Sequence, residues 1–221
     1  MNAVQNLLLF ILLVVTVIAI ALIRSQFHFT GFYSKIKNSD LSPWGLHEFL
    51  LLLNPSKGKQ GEYYRFNEEN VRSHAHKYLG RFDTAIMHWE ESPVLDLLIE
   101  RKFPVNNIPK REREEDMFQA GLYTLALSES GVSCSETRLV TIYCLQATAK
   151  RCLEKNFPNK CWKCTVGKKY LRKYNEEDVM KHLKRLDEIW YFKRKPKASP
   201  SASKCRVCPY SRNGTCNYAM I

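Results

Sequence analysis

The run Leu139–Gln146 (LVTIYCLQ) is apolar at positions of both parities. A strand with one wet face alternates apolar with polar side chains, so a strand apolar on both sides must be covered twice. The run therefore predicts a central strand whose sheet carries helices on each face, an α/β architecture.

The neighbouring segments supply the other layers. Ser42 as cap, Pro43 at the first helical position and Trp44 open a helix with a buried stripe at Leu46, Phe49, Leu50 and Leu53, closed by the turn formers of Asn54–Gly61. Val71–Trp89, bent at Gly80, and Val94–Phe103 read as extended segments joined by a turn at Glu90–Pro93. Lys110–Ser130 reads as a helix through Phe118, Leu122 and Leu125, with acidic residues in its early turns. Tyr170–Tyr174 is expected beside the central strand, and Asp178–Phe192 as an amphipathic helix through Val179, Leu183, Leu186 and Trp190. A mixed central sheet flanked by helices follows, with no internal repeat.

Ahead of this domain, Leu7–Ile23 is apolar at every position except Thr16. A helix of that length spans roughly 25 Å, the short end of a membrane crossing. Met1–Asn6 holds no basic residue while Arg24, Lys35 and Lys37 follow the run, which favours a transmembrane anchor over a cleaved signal and places the rest of the chain on the cytoplasmic side. The expected organisation is an anchor over residues 1–24, a polar stem over 25–41, one domain over 42–192, and a basic linker with a cysteine-rich tail over 193–221.

Charge is unevenly spread. Lys150–Ile221 holds 19 basic and 6 acidic residues, net +13, against +12 for the whole chain. With Trp162, Tyr170, Tyr174, Trp190, Tyr191 and Phe192 interleaved, such a region attracts polyanions through counterion release and base stacking; anionic lipid beside the anchor is the alternative partner.

Chemistry concentrates in Gly80-Arg-Phe-Asp83 and Leu98-Ile-Glu100-Arg-Lys102. Side chains alternate along a strand, so Glu100 and Lys102 share a face, and Asp83 joins them if the adjoining segment pairs in register. Two such carboxylates bind a hard divalent cation, Mg²⁺ or Mn²⁺, through oxygen. The cation lowers the pKa of bound water and polarises a phosphate, while the lysine orients the water or offsets charge developing on the phosphate. Taken alone, the D…ExK pattern also fits the solvated face of an ordinary strand.

Gln119 and Tyr123, four apart on the predicted helix, share one of its faces. In the order GRFD, IERK and QAGLY, the chain resembles RecB-like nucleases of the PD-(D/E)XK superfamily. With the tail Cys205-Arg-Val-Cys208-Pro-Tyr210 and Cys216, it is similar to the CRISPR-associated iron–sulfur exonucleases, the fourth Cas protein family. The resemblance covers about four-fifths of the chain, from Ser42 onward. It implies a restriction-endonuclease-like fold, metal binding by Asp83 and Glu100, catalysis by Lys102, and DNA contact or site support by Gln119 and Tyr123. It also implies a histidine ligand on an early helix, for which His47 matches better than His74 or His76.

The cysteines match this resemblance incompletely, because no cysteine precedes Cys134. Cys161-Trp-Lys-Cys164 offers a second C-x-x-C, so together with Cys205, Cys208 and Cys216 the ligands suffice for a [4Fe–4S] cluster or for zinc. Cys134, Cys144 and Cys152 read as small core residues. The leading expectation is a metal-dependent deoxyribonuclease acting on single strands or duplex ends. Two other readings stand beside it: a membrane-anchored, non-catalytic nucleic-acid-binding protein with structural zinc, and an exported disulfide protein, to which the sequon Asn213-Gly-Thr215 points.

Overall fold

The computed structural model describes residues 3–51, 62–154, 161 and 164–220, with the side chains of 3–7, 21–30 and Leu153 outside the described set. The turn expected at Asn54–Gly61, together with Leu53 and Trp162, lies outside it as well. The chain divides into two compact units, Met1–Val179 and Met180–Ile221, rather than at the expected boundary after residue 192.

The first unit is a mixed α/β structure. Helix α1 (Ala3–Lys37) leads into β1 (Ser39–Leu41), short α2 (Leu46–Leu50), β2 (Tyr63–Asn67), the hairpin β3 (Asn70–Ser73) and β4 (Tyr78–Arg81), then β5 (Thr84–Trp89) and β6 (Pro93–Lys102). Helix α3 (Glu114–Glu129), β7 (Arg138–Tyr143), α4 (Gln146–Glu154) and β8 (Lys168–Lys173) follow, and then α5 (Glu176–Trp190), whose residues from Met180 onward belong to the second unit. The main sheet runs β1-β2-β5-β6-β7-β8. Strand β7 pairs in parallel with β6 and antiparallel with β8, so the doubly apolar run is an interior strand, as its composition requires.

Several expectations need correction. The polar stem of residues 25–41 is not a separate linker: α1 continues through it to Lys37, Ile36 is buried in the core, and Ser39–Leu41 forms an edge strand parallel to β2. The segment Val71–Trp89 is three strands rather than one bent strand. Its first two form the hairpin, whose turn carries Lys77 in the left-handed region at φ 56°. The early helix begins at Leu46 behind Gly45, because Ser42 instead closes a local turn by accepting the N–H of Trp44 at 3.2 Å. Leu46 and Phe49 are buried as expected. The apolar run read as an anchor falls in α1, where Leu8–Ile20 are exposed; among the described residues no helix is long and apolar enough to cross a membrane.

Strand β6 sorts the two faces. Ile86, Leu97, Ile99, Val140 and Ile142 form one apolar face with Ile36 of α1, while Ala85, Leu98, Glu100 and Thr141 occupy the opposite face, on which α3 lies. Where Ile86 pairs with Leu97 but Met87 pairs with Leu95, Asp96 is an extra residue in β6, a bulge. The bulge turns the buried Asp96 carboxylate toward α1. There it takes an ion pair from Lys35 and a hydrogen bond of 2.5 Å with His88 Nδ1. The bond to Asp96 raises the His88 pKa above its ordinary value, against the opposing effect of burial.

Because the folded-state value is raised, the His88 contribution is fully present below the ordinary histidine pKa of about 6.5 and fades as pH rises through the folded value. Urea denaturation at intervals from pH 6 to about 8.5 should therefore show wild-type stability falling with a steeper slope than in His88→Gln. Equal slopes would remove the contribution assigned to this pair.

A candidate acid–lysine active site beneath helix α3

The site is assembled by backbone register. Thr84 pairs with Ile99, so Asp83, one residue before β5, lies opposite Glu100 and on its face. Two backbone amides then fix the acids. The N–H of Asp83 donates to Glu100 Oε1 at 3.3 Å, and the N–H of Arg101 donates to Asp83 Oδ2 at 2.6 Å. Lys102, two residues beyond Glu100, places Nζ 3.4 Å from Glu100 Oε2. Asp83, Glu100 and Lys102 thus come together on one sheet face, as the spacing requires.

Helix α3 supplies the roof. Lys102 Nζ donates to Gln119 Oε1 at 2.5 Å, and Gln119 Nε2 donates to the Tyr123 hydroxyl at 2.6 Å. Because an ammonium group can only donate, the bond to Lys102 fixes the amide oxygen toward it and leaves Nε2 for Tyr123. Tyr123 reaches this position because Gly80 has no side chain; a Cβ there would lie 2.2 Å from the ring. The glycine of the GRFD stretch is explained by close approach rather than by turn geometry.

One member escaped the sequence reading. Asp116 Oδ1 stands 3.7 Å from Lys102 Nζ, and its other oxygen accepts the Tyr143 hydroxyl at 2.6 Å. Burial and the bond to Asp116 push the Tyr143 hydroxyl up to about 12, so it stays a donor at neutral pH. Asp116 was hidden because acids in a first helical turn are expected from the helix dipole alone. Tyr143 was hidden by its place at the end of an otherwise apolar strand.

The electrostatics are lopsided. Glu100 is 3% exposed, and burial followed by the charge of Asp83 pushes its carboxyl up to about 7, although Lys102 pulls the other way. Crowded, buried carboxylates of this kind suit a hard cation. Among the described residues no three His, Cys, Asp or Glu side chains are grouped as metal ligands. The protein's share would therefore be the Asp83 and Glu100 oxygens, with water and substrate phosphate completing the shell, as is usual for Mg²⁺.

The remaining candidates are on other elements. His47 is exposed on α2 and enters no such ligand group. His74 and His76 sit in the β3–β4 turn, where His76 Nε2 is 3.8 Å from Glu129 at the last residue of α3. None of the eight cysteines is in a disulfide. Cys161 and Cys164 belong to the first unit, whereas Cys205, Cys208 and Cys216 belong to the second, in and after α6 (Ala202–Val207) and α7 (Pro209–Arg212). Neither a protein-family model nor a curated protein matches the sequence.

Without a cation, a carboxyl whose folded pKa is raised destabilises the fold progressively as pH climbs from the ordinary value, 4.5, past about 7. In chelator at pH 8, Glu100→Gln should therefore be more stable than wild type, by on the order of 2 kcal/mol. Mn²⁺ should stabilise the wild type and leave the variant unmoved. Denaturation with and without the cation reads both effects, and a variant less stable than wild type at pH 8 would contradict the assignment of strain to Glu100.

Proposed function

We propose that the chain is a divalent-cation-dependent deoxyribonuclease of the RecB-like PD-(D/E)XK kind, with a restriction-endonuclease-like fold. The observation that carries this reading is the convergence of Asp83, Glu100 and Lys102 on one sheet face, braced by backbone amides. Asp83 and Glu100 would hold Mg²⁺ or Mn²⁺. Such a cation supplies Lewis-acid polarisation of a phosphate and a water acidic enough to attack at neutral pH.

The chain's own residues do the rest. Lys102 brings positive charge to the edge of the acid pair, where it offsets the negative charge that gathers on a phosphate during displacement. Gln119 holds that ammonium group by accepting a hydrogen bond from it, and Tyr123 holds Gln119 in turn. Asp116 balances the lysine from the helix side, anchored by Tyr143. Arg101 Nε lies 3.6 Å from Asp83 Oδ2, steadying the carboxylate from the strand edge.

Two accompanying proposals rest on other parts of the chain. The exposed apolar side chains of Leu8–Ile20 support attachment to a membrane, with the nuclease unit on its cytoplasmic side. Cys205, Cys208 and Cys216 are gathered in one short segment, where the N–H of Cys208 bonds Cys205 O at 3.2 Å and that of Met220 bonds Cys205 Sγ at 3.3 Å. What supports an iron–sulfur cluster or zinc here is the closeness of these three cysteines in sequence, and iron, sulfide and zinc analysis of the purified full chain tests it.

End-labelled single-stranded and duplex DNA should be cleaved by the detergent-solubilised full chain with Mn²⁺ or Mg²⁺ and not in chelator. Lys102→Ala should lower the rate by about 10²-fold or more. A wild-type protein that binds DNA but cleaves neither substrate with either cation, and whose Asp83→Asn and Glu100→Gln variants bind equally well, would leave a non-catalytic binding module in place of the nuclease.

A further inference from the structure

The structure discriminates among the aromatic side chains of the basic C-terminal third. Tyr174 is buried, and Tyr170 is half-buried with its hydroxyl donated to Pro109 O at 2.8 Å. By contrast, the consecutive residues Trp190, Tyr191 and Phe192 are 78%, 63% and 79% exposed. Three large aromatic side chains left in water side by side are an unusual concentration of exposed apolar surface.

Their backbone is locked rather than frayed. Tyr191 N–H donates to Asp187 O at 2.8 Å, and Lys193 then adopts φ 57°, a left-handed conformation that a residue with a Cβ enters at a cost. Arg194 folds back onto the helix: its N–H donates to Glu188 O at 2.9 Å, its Nε pairs with Glu188 Oε2 at 2.8 Å, and its terminal nitrogen donates to Arg185 O at 3.1 Å. The left-handed residue and the bond from Arg194 back to Glu188 close the helix in the usual way, so the triplet sits on an ordered helix end.

Charge identifies the occupant. Residues 180–221 contain ten Lys and Arg against two Asp and Glu, and both acids, Asp187 and Glu188, precede the aromatic triplet. Lys193, Lys195 and Lys197 follow it within five residues, all exposed. Flat aromatic faces with ammonium groups at short intervals match unpaired bases joined by phosphates, because stacking needs a free base face while the backbone carries one negative charge per nucleotide. A duplex offers its base faces only at its ends.

We propose that Trp190, Tyr191 and Phe192, with Lys193, Lys195 and Lys197, form a stacking platform for single-stranded DNA. This rests on the nuclease reading for its choice of DNA and sharpens it, because it makes an unpaired strand the preferred substrate. The platform is described within the second unit alone.

The test uses the detergent-solubilised full chain in chelator, where no cleavage occurs, with a fluorescent oligothymidylate and a blunt duplex of matching length as probes. Wild type should bind the single strand more tightly than the duplex. Trp190→Ala/Phe192→Ala should weaken oligothymidylate binding about tenfold or more while changing duplex binding little. Replacing Lys193, Lys195 and Lys197 with Gln should flatten the salt dependence of oligothymidylate binding. Unchanged oligothymidylate affinity in the aromatic variant overturns the platform. So does a variant that keeps that affinity but loses binding to phosphatidylserine vesicles, since the triplet would then be a lipid contact. The two readings separate cleanly: Trp190-dependent strand binding without cation-dependent cleavage refutes the nuclease and keeps the platform, and cleavage unaffected by the aromatic variant does the reverse.

Discussion

The parity of one strand governs the molecule. Strand β6 pairs on both edges and is buried on both faces, so which side each residue takes decides what lies in the core and what lies in the site. After the bulge at Asp96, Leu97 and Ile99 face α1, leaving Glu100 and Lys102 to face α3. A slip of one residue would put two charges into the apolar layer beside Ile36 and lift Ile99 out of it, at a cost of several kcal/mol per buried charge. The bulge spends its extra residue on a second task, since the carboxylate it turns out of sequence is the one that holds Lys35 and His88.

The site under α3 is held by the sheet more than by its own side chains. Glu100 receives its bond from the amide of Asp83, and Asp83 from the amide of Arg101 next to Glu100, so their separation follows the strand pairing and not rotamer choice. Glu100 and Asp116 then flank the ammonium of Lys102, while Asp83 pairs with Arg101. Burial strengthens every one of these interactions, including the repulsion that raises Glu100. On the proposed reading this surplus of negative charge is what the cation neutralises, which makes the bare fold less favourable than the occupied one.

Much of this was legible in the chain. Strands β6 and β7 announce themselves as apolar runs and helix α5 by its period, and the common face of Glu100 and Lys102 follows from a spacing of two. The parts that were missed lacked such a signal. Strand β2 (YYRFN) mixes Tyr, Arg and Asn on a strand near the sheet edge, where one face tolerates polar residues. The β3–β4 turn contains neither Gly nor Pro and is built on Lys77 in a left-handed conformation that composition does not advertise. The continuation of α1 to Lys37 depends on the burial of Ile36 against β6 and β7, a tertiary effect outweighing a polar local sequence. The pairing of Asp83 with Glu100 needed a register that only the folded sheet supplies.

Helix α3 shows why a site can be hidden in plain periodicity. Asp116, Gln119 and Tyr123 stand at i, i+3 and i+7, the spacing of a buried stripe, but the side chains on that stripe are polar. Polar groups beneath a helix are tolerated only when each finds a partner. Here every one does: Asp116 with Tyr143 and Lys102, Gln119 with Lys102 and Tyr123. Lys102 of β6 and Tyr143 of β7 supply the partners of Asp116 and Gln119, and Gln119 in turn holds Tyr123 one turn along α3, so the set is stable only when complete. Removing one residue exposes the next as an unpaired buried group, a mutual dependence that apolar packing, which adapts to shape alone, does not impose. The polar stripe therefore marks the face of α3 where the sheet beneath it is built for chemistry, while Ala120, Thr124 and Leu127 on the adjoining stripe carry the packing.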